Sequence, residues 1–229
     1  MRKYMLIVFC VFFVTSSFAQ EKEDERLKES YTVLKEILGT PDKGIPSDLL
    51  AKAVCAVVYP SVKKAAFIVG ASYGRGVITC RSGQGFGGPW SAPAMFALEG
   101  ASVGFQIGGE ATDFVLLIMN EKGAESVMSS KVKLGADASA AAGPVGRTSS
   151  AETDVVMKAE ILSWSRAKGL FGGVSLEGST MRSDDGANKK LYGKELSAKE
   201  IVREGRVKTP ADGEPLIHLL QQTSPKHAS

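Results

Sequence analysis

The side chains in this sequence that could act as nucleophiles, bases or metal ligands are few and far apart. His218 and His227 are the only histidines, and both lie near the C-terminus. A serine nucleophile such as Ser91 requires a general base beside it, and neither histidine is near Ser91 in the chain. The residues around Ser91 also lack the G-x-S-x-G turn that exposes a nucleophile. We therefore predict that the chain is not an enzyme.

Metal ligands are equally sparse. Asp184, Asp185 and Asn188 lie close together, as in a weak calcium loop, but the ligand spacing and the closing glutamate of such a loop are missing. Helix capping explains these side chains better. Cys55 and Cys80 have no histidine near them with which to form a zinc site. We predict no metal site and no cofactor.

The glycine-rich stretch GFGGPWSAPAMFALEG, residues 85–100, raises the question of a phosphate-binding loop. Such a loop lies between a strand and the first turn of a helix, and usually reads G-x-x-x-x-G-K-[ST]. Pro89 and Pro93 interrupt any helix here, and no Gly-Lys-Ser/Thr sequence occurs. The stretch therefore does not predict a phosphate-binding loop.

The first nineteen residues predict a secretory signal peptide. Arg2 and Lys3 precede an apolar run that is too short to span a bilayer, and small residues follow it up to Ala19. We expect export, most simply to a periplasm, although the sequence also allows an extracellular destination. It leaves open whether Cys55 and Cys80 form a disulfide, and separately buried thiols are the favoured interpretation.

The overall charge argues against a nucleic-acid partner. Without Arg2 and Lys3 the chain has 26 basic residues against 25 acidic ones, and we find no basic stripe with interleaved aromatic residues. The charges predict a protein that does not bind nucleic acid.

The elements that must position these residues follow from periodicity. Leu27, Tyr31, Leu34 and Leu38 share one face of a helix, so residues 20–40 predict an N-terminal amphipathic helix. Ser47 is placed to cap a second helix that continues to the residues before Pro60.

From Ala65 onward the chain shows short β-branched or aromatic runs separated by glycines, which predicts strands joined by tight turns. Capping signals at Asn120, at Asp184 or Asp185, and at Ser197 predict short helices. Residues 206–229 predict a C-terminal region with a last amphipathic helix in EPLIHLL and a tail. The fold class is α+β: a mostly antiparallel, strongly curved or barrel-like sheet with N-terminal helices and short C-terminal helices.

Four segments carry a resemblance to a known family: GIPSDLLAKAVCAVVYPSVKKAAFIVGASYGRGVITCR, WSAPAMFALEGASVGFQIGGEATDFVLLIMNEKGAE, KLGADASAAAGPVGR and SRAKGLFGGVSLEGSTMRSDDGANKKLYG. In this order they resemble the SYLF domain family, the Ysc-type lipid-binding domains. The likeness covers residues 41–205. With the predicted signal peptide it suggests an exported bacterial member.

The resemblance implies a non-enzymatic domain that binds phospholipid head groups or a membrane surface. In eukaryotic relatives lipid contact is attributed to a basic amphipathic helix, but the matching residues 21–38 hold more acidic than basic residues here. The resemblance also implies actin binding in some relatives, which we do not expect for an exported protein.

The remaining basic candidates for a phosphate site flank the first strands or follow the third motif. They are Lys52, Lys63, Lys64, Arg75, Arg81 and Arg147. Two or three of them on one face could hold a head group by charge-assisted hydrogen bonds. The alternative function is a structural or assembly protein of the cell envelope that binds a protein partner through the sheet, which the small-residue strand 136–143 supports.

Overall fold

A single curved sheet forms the centre of the molecule. The computed structural model describes residues 21–40, 44–66, 69–103, 108–129, 131–144, 158–167 and 170–225. Its strands are β1 (Cys55–Ala66), β2 (Val69–Cys80), β3 (Ala94–Val103), β4 (Gly108–Ile118), β5 (Lys131–Lys133), β6 (Ala140–Ala142), β7 (Ile161–Ala167), β8 (Leu170–Gly173) and β9 (Thr180–Ser183).

The strand order is β5-β9-β3-β2-β1-β4-β7-β6, and β8 also pairs with β7. Within the described residues β6 and β7 run parallel, whereas the other pairs are antiparallel. The strong curvature gives the sheet the shape of a half-barrel. The predicted α+β class with a mostly antiparallel, strongly curved sheet is confirmed.

Short helices surround the sheet. They are α1 (21–38), α2 (Ser47–Lys52), α3 (Glu121–Met128), α4 (Asp185–Tyr192), α5 (Ala198–Val202) and α6 (Glu214–Thr223). Three of the predicted caps are present: the side chains of Asn120, Asp184 and Ser197 accept hydrogen bonds from the first turns of α3, α4 and α5. The predicted cap at Ser47 is wrong, because Ser47 is the first residue of α2, Pro46 occupies the cap position, and no side chain caps the helix. Ser197 and Glu200 complete the predicted capping box.

Apolar side chains are buried on both faces of the sheet. On one face, which we call the α1 face, strand residues such as Val58 and Met95 are buried with residues of α1, α2 and α6. On the other, the α3 face, Tyr59, Phe96 and Phe114 are buried with residues of α3 and α5. The central strands are therefore covered on both sides.

The apolar side of α1 is fully used by this packing. Leu27, Leu34 and Ile37 are buried against the α1 face of the sheet. None of the helices in the described ranges has both the length and the apolar character needed to cross a bilayer.

The predicted C-terminal end of the second helix is wrong. The helix ends at Lys52, and β1 begins at Cys55 and continues through Pro60. Residues from Val54 to Tyr59 are at most 2% exposed, because both faces of β1 are covered. A strand buried on both faces shows a continuous apolar run, which periodicity does not distinguish from a buried helix.

A bulge divides β1 into two halves. The pairing of β1 shifts register between Tyr59 and Val62 on the β4 side, and Ser61 adopts a positive φ of 51°. Pro60 has no N–H to donate to a ladder, which favours an irregularity here. Gly76 of β2 makes room for the bulge, since a Cβ there would lie 2.0 Å from the Val58 carbonyl oxygen.

The two cysteines form a disulfide, so the interpretation as separately buried thiols is wrong. Cys55 and Cys80 are register partners in β1 and β2, with their Cα atoms 4.0 Å apart. The sequence could not reveal this pairing, because it depends on the register of two strands whose bounds were not both predicted.

Candidate functional site

The structure separates the five predicted basic residues that it describes into two groups. Lys63, Lys64 and Arg75 lie on the paired strands β1 and β2, the two lysines near the end where β1 finishes and Arg75 midway along β2. Lys52 and Arg81 lie towards the opposite end of these strands. Arg147 lies outside the described residues. The five described residues therefore do not all lie at one end of the sheet.

Lys63 and Lys64 are two of the exposed basic residues, together with Lys52 and Arg75. Both side chains are exposed, and neither forms an ion pair with any residue that the structure describes. The Lys64 ammonium lies 5.3 Å from the centroid of the Phe114 ring, on the α3 face. Lys63 is the register partner of Tyr73 on the opposite, α1 face. Consecutive strand residues point to opposite faces, so these two lysines diverge.

Arg75 is partly engaged by its neighbours. Its Nε donates a hydrogen bond of 2.8 Å to the Tyr73 hydroxyl and lies 3.4 Å from the Asp184 Oδ2. The hydrogen bond that Arg75 donates to the Tyr73 hydroxyl raises the pKa of Arg75. Asp184 also caps α4, so Arg75 ties β2 to that helix while keeping about half of its side chain exposed.

Sequence reasoning missed Tyr73, which is 44% exposed beside Lys63. Tyr73 and Arg75 are two residues apart in a strand and therefore share a face. This spacing is the signal from which the sequence could have identified Tyr73. Glu99 of β3 is the other register partner of Tyr73, and it forms an ion pair of 2.8 Å with Arg182. The surface around Tyr73 thus holds both signs of charge.

Arg81 has a structural role. It is fully buried, and its guanidinium donates to the carbonyl oxygens of Ala53 and Ser224 at 3.3 and 3.0 Å and lies over the Trp90 ring. Burial lowers the pKa of Arg81. Trp90 donates to the same Ser224 carbonyl at 3.1 Å. The glycine-rich stretch therefore anchors the end of α6.

The residues considered for catalysis or calcium binding are engaged in backbone hydrogen bonds. The Ser91 hydroxyl accepts from the Cys80 N–H at 3.1 Å and donates to the Ala92 carbonyl. Asn188 is buried and exchanges hydrogen bonds with both backbone groups of Met95. Among the residues described, no three His, Cys, Asp or Glu side chains are grouped to hold a metal ion.

A shallow groove lies between α4 and α5. Three of its lining residues are acidic and one is basic, and the apolar Leu196 also contributes to it. Lys189 pairs with Glu195 at 2.6 Å across this groove. The lining residues are Asp185, Gly186, Lys189, Glu195, Leu196, Ser197 and Glu200.

Comparison with known proteins identifies the family. Residues 99–223, more than half of the chain, match the family described as "Ysc84: Las17-binding protein actin regulator". The chain belongs to the Ysc84 family. The resemblance to SYLF domains is thereby confirmed. The matched residues begin in β3 and include the groove between α4 and α5.

Individual relatives of the Ysc84 family extend the match towards the N-terminus. The chain is 35% identical over 208 residues to Protein YSC84 of Saccharomyces cerevisiae, covering 89% of this chain and 43% of the relative. It is 37% identical over 203 residues to SH3 domain-containing protein PJ696.02 of Schizosaccharomyces pombe, covering 87% and 46%. It is 31% identical over 210 residues to SH3 domain-containing YSC84-like protein 1 of Mus musculus, covering 91% and 60%. The chain thus spans about half the length of these relatives.

Proposed function

We propose that this chain is a non-catalytic module that binds anionic phospholipid at a membrane surface, through the end of the sheet that carries Lys63 and Lys64. The observation that carries the proposal is the exposure of both lysines without an ion pair to a described residue. Each basic residue near an anionic membrane surface contributes about 1 kcal/mol to binding. Two such lysines support a weak, salt-sensitive attachment.

The other polar groups form structural hydrogen bonds or are buried, which supports a binding role without catalysis. Ser91, Asp184 and Asn188 serve backbone and helix-cap hydrogen bonds, and Arg81 is buried. We also propose an oxidising compartment for the protein, reached by export, since disulfides persist there. The Cys55–Cys80 disulfide supports that location.

Vesicle sedimentation tests the lipid proposal. The protein is spun with phosphatidylcholine vesicles, with or without phosphatidylserine, at about 0.1 M and about 1 M salt, where the Debye length falls from about 10 Å to about 3 Å. We expect retention only on phosphatidylserine vesicles and only at the lower salt. Retention on neither vesicle would refute the proposal.

A double substitution assigns the binding to the two lysines. Lys63→Gln with Lys64→Gln should weaken vesicle binding by about 2 kcal/mol, or roughly 30-fold. The matched control is Lys190→Gln with Lys199→Gln, which removes the same charge from exposed positions on α4 and α5. Equal losses in the two variants would show that only net charge matters.

A second candidate function is binding to a protein partner. The family description names Las17 binding and actin regulation, and the groove between α4 and α5 lies within the matched residues. Purified Las17 and actin filaments are therefore the protein ligands to test in cosedimentation without lipid. Glu195→Gln with Glu200→Gln, in the groove, should weaken such binding if the groove is the contact. Saturable binding of either protein that this variant abolishes would favour the second candidate.

A further inference from the structure

The apolar side of α1 is not available to a membrane in this structure. Leu27, Leu34 and Ile37 are buried against the sheet, and the helix is held at its C-terminal end by an ion pair between Glu36 and Arg166 of β7. At its N-terminal end Arg26 contacts the Met95 sulfur at 3.4 Å and pairs with Glu23. The helix therefore crosses the α1 face from β3 to β7, with Leu27, Leu34 and Ile37 covered and with Tyr31 and Leu38 partly buried.

The divergence of Lys63 and Lys64 restricts how the protein can meet a flat anionic surface. Lys63 lies on the α1 face beside Tyr73, and Lys64 lies on the α3 face over Phe114. If the protein lay with either face on the membrane, one ammonium group would point away from it. Both ammonium groups reach one plane only when the strands stand steeply on the surface with the end of the sheet directed towards it.

The residues beyond the lysines suit such an approach. The backbone register places Ala65 and Ala66 of β1 beside Gly70 and Ala71 of β2, and Val69 of β2 beside Val103 of β3. These positions carry no charge, and the nearest acid in register is Glu110, the partner of Lys64 in β4. The connections at 67–68 and 104–107 lie outside the described residues.

The strand residues from the lysines to Ala66 are short enough to fit within the depth of a membrane interface. Ala66 is two to three residues past the lysines, which at about 3.3 Å per residue is a reach of roughly 7–10 Å. Interfacial elements bury about 5–10 Å into the boundary between head groups and acyl chains. The lysines would then lie at the level of the phosphates.

Charge on the α1 face disfavours a face-on approach. The exposed side of α1 carries four carboxylates against three ammonium groups, so it is net negative and would gain little from facing an anionic membrane. The exposed residues are Glu21, Glu25, Glu29 and Glu36 against Lys22, Lys28 and Lys35. The end-on approach keeps these carboxylates away from the surface while both lysines contact it.

We propose that the protein docks on anionic membranes end-on, with the Lys63 and Lys64 end of β1 directed at the surface and one lysine on either side of the sheet, and not through α1. This inference rests on the proposed lipid-binding function and specifies its geometry. The partner is a phosphatidylserine-containing bilayer surface.

Paired labels on the two faces of β2 test the geometry. Ala71→Cys and Ser72→Cys are neighbours on opposite faces, beyond the lysines, and each takes an environment-sensitive fluorophore in a Cys10→Ser background. The native Cys55 and Cys80 are protected as a disulfide. Thr32→Cys on α1 and Gln84→Cys at the far end of β2 are the matched controls, since both residues are exposed.

End-on docking predicts that phosphatidylserine vesicles shift the emission of both the Ala71 and the Ser72 labels to the blue, and that a lipid-borne quencher reduces both. The Thr32 and Gln84 labels should be unchanged. A response from Ala71 and Thr32 without Ser72 would overturn the end-on geometry and leave lipid binding standing. A protein that does not bind the vesicles at all would refute the proposed function and this inference with it.

Discussion

Glu160 shows how a single carboxylate joins three elements. Its Oε1 lies 2.8 Å from the Lys122 ammonium of α3, and its Oε2 accepts from the Ser139 N–H, also at 2.8 Å, just before β6. Glu160 itself immediately precedes β7 and is 7% exposed. The hydrogen bond from Lys122, together with that of Ser139, lowers the pKa of Glu160. The charged form therefore stabilises the fold.

We predict that Glu160→Gln lowers the free energy of unfolding at pH 7 by about 1–2 kcal/mol. A lowered carboxylate pKa stabilises the fold above the unfolded pKa of about 4.3, and that stability is lost as pH falls through the folded value. The difference between variant and parent should therefore shrink below about pH 4. Urea unfolding across this pH range measures it. Glu121→Gln, which alters an exposed carboxylate of α3, is the control, and a gap that stays constant with pH would contradict the explanation.

Ser224 is a second residue that joins separate elements, since it anchors the C-terminal end of α6. Its hydroxyl accepts from the Arg81 guanidinium and donates to the Leu50 carbonyl oxygen at 3.2 Å, and it is buried. Removal of the hydroxyl leaves a buried charged donor with one acceptor fewer.

We predict that Ser224→Ala lowers the free energy of unfolding by about 1–2 kcal/mol. Thr223→Ala removes a neighbouring hydroxyl from an exposed position and should change it by less than about 0.5 kcal/mol. Thermal unfolding of the two variants side by side measures the difference in stability. Equal effects would show that Ser224 contributes only helix-end hydrogen bonding.

At the scale of elements, α1 belongs to the folded core. The sequence predicted its amphipathic character, because the spacing of Leu27 and Leu34 defines a helical face without reference to anything else. It did not predict what covers that face. The sheet covers it here, and this changes the role expected for the helix in membrane contact.

We predict that Leu34→Ala lowers the free energy of unfolding by about 3 kcal/mol, since Leu34 is fully buried. Lys35→Ala, one residue along on the exposed side, should change it by less than about 0.5 kcal/mol. Circular dichroism and Trp fluorescence should report one shared transition in the variant. A separate early transition would contradict the view that α1 unfolds together with the sheet.

At the scale of the whole molecule, the disulfide links stability to the compartment. Cys55 and Cys80 are 25 residues apart in the chain, and closing a loop of this length stabilises a fold by about 3–4 kcal/mol in the chain-entropy model. In an oxidising compartment the protein keeps this contribution to its stability, whereas a reducing compartment removes it.

We predict that Cys55→Ala with Cys80→Ala lowers the free energy of unfolding by about 3–4 kcal/mol. Guanidinium unfolding of the parent with reductant should approach that of the variant, because both lack the cross-link. Thiol titration of the unfolded, unreduced parent is the control. Free thiols from both residues there would contradict the disulfide.

The sequence by itself determined the class of the fold, three of the four helix caps and the family. These depend on local patterns: strand runs separated by glycines, capping signals at Asn120 and Ser197, and motifs in order along the chain. It also identified Lys63 and Lys64 as candidate residues for a phosphate site.

Only the tertiary structure decided which of the candidates are accessible and where they point. The strand that includes Cys55 is buried on both faces, so its apolar run carried no period from which to predict its type. The bulge between Tyr59 and Val62 reverses the alternation of β1, and so places Lys64 on the α3 face and Lys63 beside Tyr73. Burial of Arg81 and the pairing of Cys55 with Cys80 depend likewise on contacts between residues far apart in sequence. Such contacts are set by strand register and packing, which no local pattern encodes.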